Sequence, residues 1–193
     1  MISRVLEYHR EGKSTRFLLE YHGRPPKPGQ FLTVIAPGEK EIPLGVSDYR
    51  DGEVEVYVDS KGLAQWLIES KTVLVDGPFG RPLKLGNTRA ITTGELYHDV
   101  LYPLREARRM GFDVGLECID ECDANFPSGR REHWDLVIAS VPKERIRDLP
   151  PGTLVYVRWV KMNCMNGVCG VCQIKGNLAC VEGPFLEVER VVD

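Results

Sequence analysis

The sequence predicts a small antiparallel β-barrel, then a shortened parallel α/β unit, then a C-terminal loop rich in cysteine. Three observations carry this prediction. Short β segments separated by turn residues fill residues 1–86. A strand–helix–strand order then runs over 87–160, which implies parallel pairing. Four cysteines are concentrated in 161–193. The expected domains are 1–86, 87–160 and 161–193.

In the first unit, candidate strands are 3–9, 15–21, 30–35, 54–58 and 72–75. Their breaks are Glu11-Gly12-Lys13, Pro25-Pro26-Lys27-Pro28-Gly29, Ala36-Pro37-Gly38 and Asp51-Gly52. A helix is predicted over 63–70, where Leu63, Trp66 and Leu67 share a face. In the second unit, 89–92, 114–118, 136–139 and 154–160 read as strands. A helix over 96–110 carries Tyr97, Val100, Leu101, Leu104 and Ala107 on one stripe. Arg105, Arg108 and Arg109 complement its C-terminal dipole, and Gly111 can end it. In the last unit, Lys175-Gly176-Asn177 reads as a hairpin turn that returns Cys180 toward Cys172.

Composition excludes several function classes. With 42% hydrophobic and 27% charged residues the balance is that of a globular chain. A net charge of −3 gives no basic footprint for nucleic acid or an anionic membrane. No apolar run reaches spanning length, and the N-terminus lacks the apolar core of a secretory signal. A cytoplasmic, reducing compartment is the expectation, in which the six cysteines serve as ligands or free thiols.

The most specific signal is Cys164-Met165-Asn166-Gly167-Val168-Cys169-Gly170-Val171-Cys172, with Cys180 following. C-x4-C-x2-C…C is the plant-type spacing for a 2Fe–2S cluster, and soft thiolates select iron–sulfur clusters or zinc. Gly167 and Gly170 allow the backbone to coil and bring N–H groups to the sulfurs. Met162, Met165, Val168 and Val171 could supply an apolar rim. Zinc is the rival, since C-x2-C is half a zinc knuckle, but structural zinc usually takes two paired knuckles. Cys118 falls on a predicted strand and reads as a buried structural thiol, and Cys122 lies in an acidic loop ending at Asp123. His9, His22, His98 and His133 are scattered, read as surface or capping residues, and no catalytic residue is assigned.

The order of barrel, nucleotide-type α/β layer and cysteine loop resembles the electron-transfer subunit of dihydroorotate dehydrogenase (the PyrK type), within the ferredoxin–NADP reductase superfamily. The resemblance spans nearly the whole chain. It is carried by the cysteine run, by Ala179-Cys180-Val181-Glu182-Gly183-Pro184-Phe185, by Asp76-Gly77-Pro78-Phe79-Gly80 and by Pro28-Gly29-Gln30-Phe31. It implies a 2Fe–2S cluster on Cys164, Cys169, Cys172 and Cys180. It also implies a catalytic partner that oxidises dihydroorotate with FMN, in a heterotetramer. In such complexes the small subunit also carries FAD and passes electrons to NAD.

Three segments depart from that family. Its flavin motif R-P-x-S aligns with Ile42-Pro43-Leu44-Gly45, so an alkyl chain replaces the phosphate-binding arginine. Its G-x-G-T aligns with Ser60-Lys61-Gly62-Leu63. Its glycine signature for NAD aligns with Thr92-Thr93-Gly94-Glu95-Leu96-Tyr97-His98, where Glu95 would repel a phosphate. The reading is an iron–sulfur electron-transfer subunit that has lost NAD binding and has a degenerate FAD site, with Lys61 and Lys40 as cations that could compensate. The acceptor would then be something other than NAD. Alternatives are a subunit of another flavin oxidoreductase, a free-standing FAD/NAD(P)H reductase, and a non-redox zinc module.

Overall fold

Short strands separated by tight turns build the first half of the computed structural model, which describes residues 1–36, 41–122, 126–129 and 131–192. Lys40, Asp123 and part of the turn at Ala36-Pro37-Gly38 lie outside the described residues. Six strands form a closed barrel: β1 (Ile2–Glu11), β2 (Ser14–Glu20), β3 (Phe31–Ile35), β4 (Glu41–Arg50), β5 (Glu53–Val58) and β6 (Thr72–Phe79), in the order β1-β2-β5-β4-β3-β6. Antiparallel pairing of Ile2, Ser3 and Arg4 with Leu74, Val73 and Thr72 closes it. Phe17, Leu19, Leu32, Val34, Val54, Val56 and Val75 fill the interior. Helix α1 (Lys61–Ser70) packs Leu63, Ala64 and Leu67 into the same core. The Ser60 hydroxyl caps it by accepting from the Leu63 N–H at 3.3 Å.

Strand β4 is missing from the sequence reading because Pro43 and Gly45 interrupt it. Pro43 is tolerated for a local reason. It pairs with Thr33 of β3, whereas β4 pairs with β5 only over Val46 to Arg50. The absent N–H therefore has no second strand to serve.

The second layer is a five-stranded sheet in the order β13-β10-β9-β7-β8. Strands β7 (Thr88–Thr92), β8 (Val114–Cys118), β9 (Leu136–Ser140) and β10 (Leu154–Tyr156) are parallel. Strand β10 is shorter than predicted, because the backbone turns where Arg158 N–H donates to Tyr156 O and Val160 N–H to Val157 O. After the two-residue strands β11 (Gln173–Ile174) and β12 (Asn177–Leu178), β13 (Phe185–Glu187) returns antiparallel to β10. Helix α2 (His98–Arg109) covers one face with Val100, Leu104 and Ala107. The other face is covered by 3₁₀ turns at Lys143–Asp148 and Val188–Arg190, through Ile146 and Val188. The predicted fold class, a barrel followed by a shortened parallel α/β layer, is the one found.

Polar contacts close the seam between barrel and sheet. Arg158 Nη1 donates to Asp99 Oδ1 at 2.6 Å, and its Nη2 pairs with Asp59 at the mouth of the barrel. The Asp99 side chain is only 2% exposed and also accepts from Ser140 Oγ at 2.6 Å. His98 differs from the surface role expected of it. It is 4% exposed, stacks on Tyr57 with ring centroids 4.8 Å apart, and contacts Arg158 Nη1 at 3.0 Å through Nε2. A guanidinium only donates, so this nitrogen accepts and the ring is neutral. Along α2, Ser47 Oγ donates to His98 O, Tyr102 Oη to Pro26 O, and Arg105 to Glu55.

Two outcomes follow for stability. Arg158→Ala strands a buried carboxylate and should cost about 3 kcal/mol in urea unfolding; an unchanged midpoint would contradict the seam as described. Burial holds the His98 imidazole below its ordinary value of 6.5, against the opposing pull of Asp99, Asp59 and Glu11 and with the help of Arg158. The unfolded chain therefore takes up this proton first. Its contribution is complete above about pH 6.5 and is lost as pH falls below that. His98→Gln should flatten the decline in unfolding midpoint between pH 7 and pH 5.

Candidate functional site

The cysteine loop sits where barrel and sheet meet. Met165, Cys172, Ala179 and Cys180 pack with Phe31 of the barrel and with Val157 and Leu186 of the sheet. Gly80 makes this joint possible. It adopts φ +80°, and a Cβ there would lie 2.5 Å from the Gly183 carbonyl oxygen. Arg81 N–H donates to that oxygen at 2.7 Å, and Val157 N–H donates to Pro184 O at 3.0 Å.

Within the loop, Met165, Gly167 and Gly170 all have positive φ, which coils the backbone tightly around its own sulfurs. The hairpin turn is Lys175-Gly176, also at positive φ, and it pairs Gln173 with Leu178. Ala179 N–H then donates to Cys172 O, and Cys172 Sγ lies 3.1 Å from Cys180 Sγ. Cys164 is in hydrogen-bond contact with Cys169, whose N–H reaches Cys164 Sγ at 3.4 Å.

The environments of the sulfurs differ. The backbone N–H of Cys169, then that of Asn166, lowers the Cys164 thiol to about 6. Burial, and then the contact with Cys172, raises the Cys180 thiol to about 12. Cys172 and Cys180 are each 1% exposed, while Cys169 lies at the surface. Four thiols, two of them buried, with backbone N–H groups aimed at Cys164 Sγ, form a donor set that fits a thiolate-ligated cluster. The rim is only partly apolar shelter: Met165 is buried, but Val168 is 86% exposed and Val171 and Val181 are exposed too.

The segments aligned with nucleotide motifs look different. Gly45 on β4 faces the seam, and a Cβ there would lie 2.9 Å from Tyr156 Oη and 3.8 Å from Asp99 Oδ1. The space a serine would use at this position is taken by the sheet layer itself. At the end of β7, the Gly94 N–H donates to Asp120 Oδ1 at 2.6 Å, and the Glu121 carbonyl oxygen lies against the Gly94 Cα. The amide that could meet a phosphate already holds a carboxylate. Sequence reasoning named Glu95 for this position, but Glu95 is exposed and pairs with Lys13. Asp120 escaped notice because its approach depends on the turn after β8, where Ile119 N–H donates to Thr92 O.

That same turn brings together Cys118 and Cys122, which were assigned no function. It folds the chain back so that the two side chains meet, with Cα atoms 6.0 Å apart, within reach of a disulfide. Cys118 is half-buried rather than buried. Among the described residues, no helix is long and apolar enough to cross a membrane.

No family model matches the chain. Two curated relatives, from Methanopyrus kandleri and Thermoplasma volcanium, are 27% and 21% identical to it, each over 86% of this chain and 80% of the relative. Both are named probable dihydroorotate dehydrogenase B (NAD(+)), electron transfer subunit. Among solved structures, a chain of the NADH-dependent reduced ferredoxin-NADP oxidoreductase matches with a TM-score of 0.75 at 19% identity, over 98% of this chain and 89% of its own. Phthalate dioxygenase reductase matches with a TM-score of 0.57 at 14% identity, over 81% of this chain and 68% of its own. The chain thus has a ferredoxin reductase-like fold, and in sequence it resembles the electron-transfer subunits of dihydroorotate dehydrogenase B.

Proposed function

We propose that this chain is the iron–sulfur electron-transfer subunit of a dihydroorotate dehydrogenase complex. Cys164, Cys169, Cys172 and Cys180 would hold a 2Fe–2S cluster, and the partner would be an FMN-containing catalytic subunit in a heterotetramer. The observation that supports the proposal is the approach of Cys169 to Cys164 in one coiled loop and of Cys172 to Cys180 across the following hairpin, with a backbone N–H directed at Cys164 Sγ. Bound there, the cluster supplies single-electron carriage. The protein's part is to favour the thiolate of Cys164 through backbone N–H groups, to shield Cys172 and Cys180 from water, and to fix the loop against Phe31 and Leu186. A cytoplasmic location is part of the same reading.

The proposal gives the chain no NAD and a degenerate FAD site. It is supported by Asp120 on the Gly94 amide and by Tyr156 in the space beside Gly45. With an acid on the amide where a phosphate would bind, the acceptor is something other than NAD.

The test is electron delivery. Anaerobically mixed with its catalytic partner and dihydroorotate, the chain should show bleaching of visible absorption and a reduced-cluster EPR signal. Cys164→Ser, Cys169→Ser, Cys172→Ser and Cys180→Ser should each abolish that signal, while Cys118→Ser should leave it intact. Reduction only by a different flavoenzyme would move the chain to another complex, and a zinc-loaded protein without sulfide would overturn the proposal.

A further inference from the structure

The turn after β8 holds a second pair of sulfurs, apart from the cysteine loop. Strand β8 forms one edge of the sheet, beside β7, whereas the cysteine loop packs at the other edge, against Val157 and Leu186. Cys118 is the last residue of β8 and is fixed by its register with Thr92 of β7. Cys122 stands at the far end of the turn. The two Cα atoms are 6.0 Å apart, inside the span of roughly 4.4–6.8 Å that a disulfide bridges. Both cysteines are half-buried, so a small reagent can reach them.

Every residue between them touches the chain at the end of β7. Ile119 N–H donates to Thr92 O at 2.9 Å. Asp120 Oδ1 accepts from Gly94 N–H at 2.6 Å, and the Glu121 carbonyl oxygen lies against the Gly94 Cα. Asp120 and Glu121 are exposed, so these contacts compete with water. A bond across the turn acts on just this cluster of contacts. The stabilisation a disulfide gives by constraining the unfolded chain grows with the loop it closes, and Cys118 and Cys122 are only four positions apart. Its effect is therefore local. Closed, it ties Cys122 to the sheet and holds Asp120 and Glu121 over Gly94. Opened, the same turn keeps only its hydrogen bonds, and the Asp120 carboxylate is freer to exchange Gly94 for water.

We propose that Cys118 and Cys122 form a reversible dithiol–disulfide pair that exchanges with small thiols and disulfides of the glutathione class. Its state sets how firmly Asp120 covers the Gly94 amide. In oxidation, one cysteine thiolate attacks the S–S bond of the small disulfide and releases one small thiol. The other cysteine attacks the mixed disulfide, forms the Cys118–Cys122 bond and releases the second. The two cysteines lose two electrons and two protons, and the small disulfide gains them as two thiols. Reduction is the reverse.

This exchange lies outside the electron path assigned to the cysteine loop. It holds whether or not Cys164, Cys169, Cys172 and Cys180 carry a cluster.

The test equilibrates the full chain with oxidised glutathione or with dithiothreitol and takes two readouts. Tryptic peptide 110–130 carries both cysteines and no other, so its mass after alkylation reports this pair separately from the cysteine loop. Both thiols should be alkylated in the reduced sample and neither in the oxidised one. Amide exchange at Gly94, followed by NMR, should be about tenfold or more slower in the oxidised chain. Cys118→Ser should exchange at the reduced rate under both conditions, which separates this pair from oxidation of the other four cysteines. Its unfolding midpoint checks that it is folded, and Cys122→Ser replaces it if it is not. Three results would overturn the proposal: no Cys118–Cys122 bond under excess oxidised glutathione, the same Gly94 exchange rate in both states, or a redox response at Gly94 that persists in the serine variant.

Discussion

The ion pair between Arg158 and Asp99 joins the parts of the molecule that matter for its chemistry. Asp99 sits in the first turn of α2, Arg158 just beyond β10, and Asp59, the second partner of Arg158, at the barrel mouth before α1. Burying a carboxylate to 2% exposure is costly unless its oxygens are satisfied, and here Arg158 and Ser140 satisfy both. Arg158 also precedes the cysteine segment in the chain. The contact that closes the seam therefore fixes where that segment leaves the sheet.

From that anchor the cysteine loop is held on two sides. Phe31 lies on the barrel side and Val157 and Leu186 on the sheet side. The Gly80–Gly183 approach and the Lys175-Gly176 turn set the path of the backbone between them. The same seam that steadies the loop also fills the barrel side of the interface. Tyr156, Asp99 and His98 occupy ground beside Gly45 and Tyr57, and Asp120 occupies the Gly94 amide.

The sequence made the barrel legible because turns rich in glycine and proline separate its short strands. It hid β4, where Pro43 and Gly45 break the pattern that pairing with β3 restores. The cysteine spacing could be read as a motif because it is local in the chain. What could not be read were contacts between residues far apart in the chain: Asp120 reaching Gly94, Arg158 reaching Asp59, and His98 stacking on Tyr57. The approach of Cys118 to Cys122 depends on the turn after β8, which composition does not show.

The central claim is that this subunit carries electrons on its cysteine loop and on nothing else. The most direct measurement is a joint count of iron, acid-labile sulfide and flavin per chain in anaerobically purified protein. The account predicts iron and sulfide in equal amounts at about two each per chain, with no flavin released by acid. Stoichiometric FAD, or zinc in place of iron and sulfide, would contradict it.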